Sequence, residues 1–96
     1  MGAEPFIAAA RGDTAAAAFR KAVGDAAFGC GHGGYTGTIA EKDSFVEIGL
    51  PEGADPAEEA RRLIDSGEGR IADKWGPAGA FALGDGRYLF FGWASS

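Results

Sequence analysis

The sequence predicts an α+β fold: a small single-layer, mostly antiparallel sheet with two helices packed on one face, in the order β-α-β-α-β-β. Three observations carry this expectation. Two stretches place apolar residues at helical spacing behind a capping residue, over Thr14–Ala27 and from Asp55-Pro56 onward. Short apolar runs of strand length bracket them. Near the C-terminus an Asp85-Gly86 pair sits between two apolar runs, a strong hairpin signal. Two helices can cover only one face of a four-stranded sheet, which sets the expected layering.

The elements follow in order. Pro5 to Arg11 is an apolar run of strand length, stopped by Gly12-Asp13. Asp13 is a suitable N-cap for the first helix. Within it Ala15, Phe19, Ala22, Val23 and Ala26 form one stripe, and Gly29 is expected to end it. Gly29-Cys30-Gly31-His32-Gly33-Gly34 reads as an irregular loop continuing to Gly37, and Tyr35 to Lys42 as either an extended segment or more loop. Phe45 to Leu50 is a strand stopped by Pro51.

The second helix has Asp55 as cap, Pro56 in the first position and Glu58 at capping-box spacing. Ala57, Ala60, Leu63 and Ile64 form its buried stripe, Glu58 is placed to pair with Arg62, and Ser66-Gly67 closes it. Arg70 to Gly79 reads as irregular, Ala80 to Leu83 as a strand and Arg87 to Ala94 as its return. The return strand is apolar on both sides, with Tyr88 and Phe90 one way and Leu89, Phe91 and Trp93 the other. It is therefore central, or its open face meets a ligand or a partner chain.

Composition bounds the function. The 96 residues suit one domain without internal repeats. Glycine is over-used, 17 residues against a typical ~7%, which implies many turns and close backbone approaches. A net charge of −5 opposes direct nucleic-acid binding, which needs a basic surface. The single Cys cannot form an internal disulfide and suits a reducing compartment. No apolar run approaches the ~18 residues of a membrane span. The start Met1-Gly2-Ala3-Glu4-Pro5 lacks the basic region of a signal peptide, and Phe6 breaks the myristoylation motif. The expectation is a cytoplasmic protein.

The glycine-dense loop is the most unusual local feature. Gly29, Gly31 and Gly34 have G-x-G-x-x-G spacing, but a dinucleotide fingerprint follows a strand and opens a helix, whereas this one follows a helix. What survives is an anion cradle. Consecutive backbone N–H groups can converge on a phosphate, with Thr36, Thr38 and Lys42 as further donors. The competing reading is that these glycines only shape turns.

Cys30 and His32 lack an orienting third residue, and no second Cys or His completes a zinc site. Glu41, Asp43 and Glu47 would share a strand face, where carboxylates are common. Trp75, between Lys74 and Gly76-Pro77, is the best candidate for an exposed aromatic that stacks on a base or sugar; Tyr88, Phe90 and Trp93 are better read as core.

The strings Tyr35-Thr36-Gly37-Thr38-Ile39-Ala40-Glu41-Lys42, Asp73-Lys74-Trp75-Gly76-Pro77-Ala78 and Phe90-Phe91-Gly92-Trp93-Ala94 resemble a group of short, largely uncharacterised bacteriophage and prophage proteins. The resemblance spans the chain from the first helix to the C-terminus. It implies an anti-defence role in the host cytoplasm, by binding a host defence protein or by sequestering a nucleotide signal.

The leading expectation is a binding protein without turnover, holding a small phosphorylated nucleotide-like ligand. Its candidate contacts are Gly31, His32, Gly33, Gly34, Tyr35, Thr36, Thr38, Lys42, Lys74 and Trp75. No catalytic residue, metal or cofactor is assigned. The alternatives are a protein-interaction inhibitor of a host defence enzyme and a small nucleotide-processing enzyme that uses His32 or a carboxylate. A homodimer is compatible with each.

Overall fold

A computed structural model of the chain describes residues 2–30 and 38–95. Strand β1 (Ala3–Arg11) leads into helix α1 (Ala15–Cys30), followed by a single 3-10 turn at Ile39–Glu41 and strand β2 (Phe45–Glu47). Helix α2 (Pro56–Ser66) and the strands β3 (Ala78–Gly84) and β4 (Arg87–Ser95) complete the fold. The element order is the expected β-α-β-α-β-β. The sheet order is β1-β4-β3-β2. β4 pairs antiparallel with both β1 and β3, while β2 pairs parallel with β3.

The two helices cover opposite faces of the sheet, not one face as the sequence suggested. α1 packs through Ala18, Phe19 and Ala22 on Phe6, Ala80 and Phe90. α2 packs through Ala60, Leu63 and Ile64 on Phe81, Leu89 and Phe91. Topology explains the difference. β1, β2 and β3 all point one way. The α1 connection carries the chain from one edge of the sheet to the other, and the α2 connection brings it back one place. Crossovers between parallel strands share one hand, so two that traverse the sheet in opposite directions must lie on opposite faces. This also satisfies β4, whose two apolar faces are both covered because it is central.

Local chemistry sets the element ends. Thr14, rather than Asp13, caps α1, its hydroxyl accepting from the Ala17 N–H at 3.1 Å. The helix runs on through Gly29 to Cys30, because a helical glycine is only about 1 kcal/mol worse than alanine. The α2 signals hold: Asp55 accepts from the Glu58 N–H at 3.0 Å, Pro56 opens the helix, and Gly67 closes it in a left-handed conformation at φ 73°. Arg62 pairs with Glu59 rather than Glu58, and Ala57 is exposed. β2 is shorter than expected and β3 longer, starting at Ala78. The Asp85-Gly86 turn has both residues at positive φ, 56° and 74°, which is what a tight two-residue hairpin needs. Gly79 is required for packing, since a Cβ there would lie 2.7 Å from the Phe91 ring.

Candidate functional site

One end of the sheet gathers the described candidate residues. Here β1, β2 and β3 begin and β4 finishes. A helix joining two parallel strands runs against them, so the C-terminal end of α1 also points this way. The 3-10 turn and the loop 73–77 close over this end. Thr38 starts the turn, its hydroxyl accepting from the Ala40 N–H at 3.2 Å. Glu41, within the turn, accepts from the backbone N–H of Ser95 at 3.1 Å and so ties the turn to the end of β4.

Lys42 is the centre of this arrangement. It is only 4% exposed. Its Nζ donates to the carbonyls of Lys74 at 3.0 Å and Gly76 at 2.8 Å, and lies 6.0 Å from the centroid of the Phe6 ring. The two carbonyls flank Trp75, so one buried ammonium holds the loop on both sides of the indole. Burial pushes the Lys42 pKa below the ordinary lysine range, while the nearby Asp73 and Glu41 carboxylates pull it back up. Asp73 adds a second brace: its Oδ1 accepts from the Trp75 N–H at 2.8 Å and its carbonyl from the Gly76 N–H at 2.9 Å.

The loop presents its side chains outward. Trp75 is 63% exposed, unusual for the largest apolar residue type. Lys74 Nζ stands 5.4 Å from the Trp75 ring centroid and donates to the Gly2 carbonyl at 3.2 Å. The result is an exposed indole with a cation at its face, on a backbone fixed from beneath. Chemically it offers a stacking surface beside a positive charge.

Thr38, Lys42, Lys74 and Trp75 are thus brought to one end of the molecule, with Lys42 facing inward to the loop backbone. Gly31, His32, Gly33, Gly34, Tyr35 and Thr36 lie outside the described residues. Among the described residues no group of three His, Cys, Asp or Glu is placed to hold a metal ion. Glu41, Asp43 and Glu47 do not share a strand face, because only Glu47 lies in β2. Tyr88 stacks on Phe90 and Trp93 is half-buried on the α2 side, so these aromatics belong to the packing.

Two features of the site go beyond the sequence expectations, the brace that Asp73 supplies and the inward role of Lys42. An Asp two residues before an exposed Trp is an Asx-turn spacing, and that signal was available. Nothing local marks Lys42 as buried, since its acceptors are backbone atoms more than thirty residues away. No family model, curated protein or solved structure matches the chain.

Proposed function

We propose that the protein is a non-catalytic binding protein for a small phosphorylated nucleotide-like ligand, held at the Lys74–Trp75 end of the sheet. The observation that supports this best is the exposed Trp75 on a loop clamped from below by Lys42. An aromatic platform fixed before binding loses little entropy when a base stacks on it. Lys74, at the face of the indole, supplies the charge for a phosphate, and the Gly31–Thr38 segment supplies further donors. In the phage setting that the resemblance implies, such a protein removes a host signal by holding it.

Isothermal titration against a panel of cyclic and linear nucleotides tests the reading. A stoichiometric heat that Trp75→Ala abolishes supports it; silence across the panel refutes it.

A second reading is favoured by Phe28, 93% exposed in the last turn of α1 at this same end. Two exposed aromatics also suit a protein partner, such as a host defence enzyme inhibited by contact. Co-purification of a stoichiometric partner that is lost in Phe28→Ser, with nucleotides silent, selects this reading over the first.

A further inference from the structure

We propose that Arg11 and Arg87 form a binding site for a phosphate monoester dianion at the hairpin end of the sheet, away from the Lys74–Trp75 end. The two residues are direct partners in the β1–β4 register. In the next pair along, the Gly12 N–H donates to the Gly86 carbonyl at 2.9 Å. Bonded and non-bonded pairs alternate in an antiparallel ladder, so Arg11 and Arg87 are a non-bonded pair, the kind whose Cα atoms stand about 4.5 Å apart. Two guanidinium side chains therefore leave the sheet side by side on one face. Like charges set directly opposite each other destabilise a ladder. No carboxylate among the described residues forms an ion pair with either, although the chain holds 14 Asp and Glu against 9 Lys and Arg. Lys21, Arg62 and Arg70, by contrast, each have such a partner.

The surface around the pair is concave. Arg87 shares a face of β4 with Leu89 and Phe91, the side on which α2 packs. The helix does not cover this end, since Ala9 is exposed and Leu83 only half-buried. A bay of about 280 Å³ is left there, lined by Ala9, Ala10, Arg11, Leu83, Arg87 and Tyr88. Arg87 Nε donates to the Gly84 carbonyl at 3.4 Å, which leaves both terminal nitrogens for another acceptor. Charge and geometry together choose the ligand. A carboxylate offers one charge and two oxygens, which a single guanidinium fork satisfies. A phosphate monoester at pH 7 carries about −1.5 to −2 and three terminal oxygens, enough to engage two forks at once. Its ester group then lies over the apolar Ala9 and Leu83.

An NMR titration with phenyl phosphate, read at the arginine Nε–Hε signals, tests this. Saturable shifts are expected at Arg11 and Arg87, with sodium chloride at matched ionic strength failing to reproduce them. Arg11→Gln and Arg87→Gln singly are expected to weaken binding roughly tenfold or more, since each removes a charge-assisted fork. Both positions are exposed, so the variants should fold. Stability gives an independent readout. In low salt without the ligand, Arg11→Gln is expected to melt a few degrees above the wild type, because the like-charge pair is gone. Saturating phenyl phosphate is expected to reverse that order. Shifts that chloride reproduces, binding indifferent to both substitutions, or an Arg11→Gln variant no more stable than the wild type in low salt overturns the proposal.

Discussion

Replacing Lys42 by Met removes the ammonium and keeps the length and most of the volume of the side chain. The wild-type side chain makes two charge-assisted hydrogen bonds, at 3.0 and 2.8 Å, to the carbonyls of Lys74 and Gly76. Each bond of this kind contributes about 1.5–3 kcal/mol, and a carbonyl left without a partner out of water costs about 1–3 kcal/mol. Against this stands the relief of no longer burying a charge, several kcal/mol for an ion. The bonded carbonyls are only partly buried and regain some water. The net loss is therefore about 2–4 kcal/mol, below the total stability of about 5–15 kcal/mol usual for a domain.

In a chain of this size each 1 kcal/mol moves the melting temperature by about 4–8 °C, so Lys42→Met is expected to melt roughly 10–30 °C lower. Differential scanning calorimetry reads that directly. A second readout separates the clamp from general destabilisation. Well below the transition, with Trp93 replaced by Phe in both proteins, Trp75 fluorescence anisotropy should fall in Lys42→Met, because the loop on both sides of the indole is released. A melting temperature within a few degrees of wild type, or an unchanged anisotropy in the folded variant, would refute the clamp.

Three further outcomes are expected. Gly79→Ala sets a Cβ 2.7 Å from the Phe91 ring and should destabilise by about 1–3 kcal/mol, read as a lower urea midpoint at unchanged slope. Glu68, bonded by the Arg70 side chain and backbone N–H, should titrate at about 2 by NMR and return toward 4.5 in Arg70→Gln. Its folded pKa lies below the unfolded one, so the stability it contributes is present above about pH 4.5 and is lost as pH falls toward about 2. Trp75→Ala should leave the melting temperature within a few degrees of wild type, since most of the ring is in water, while removing nucleotide binding in titration calorimetry.

How far the fold was legible follows from the range over which each interaction acts. The α2 boundaries are written in neighbouring residues, Asp55, Pro56 and Gly67, and the structure uses each as its chemistry predicts. The Asp85-Gly86 turn is equally local. The placement of the helices is not local: it depends on β1 and β2 taking opposite edges, which no periodicity within α1 or α2 encodes. The one sequence hint was β4, whose two apolar faces require cover on both sides. At the candidate site Trp75 was legible because a Trp beside Gly76-Pro77 in a polar stretch has little to pack against. Lys42 was read from its charge as a ligand contact, yet its geometry is decided by the Lys74 and Gly76 carbonyls.

The placement of the candidate site runs against a general tendency, and electrostatics supplies the reason. In open sheets with parallel strands, ligands usually sit beyond the carboxyl ends of those strands. Here that end holds an open groove of about 570 Å³ running from Glu47 to Ala54 beside Ala82. Its charged lining is Glu47 and Glu52. The N-terminus of α2, whose exposed N–H groups would otherwise attract an anion, is capped by Asp55 and carries Glu58 and Glu59 in its first turn. A phosphate entering there meets Glu47 and Glu52 and no basic lining residue. At the opposite end Asp73 accepts from the Trp75 N–H and Glu41 from the Ser95 N–H, Glu4 and Asp43 lie at the same end, and Lys74 stands at the indole face. The proposed site thus has one feature that the lining of the larger groove lacks, a lysine beside an exposed ring.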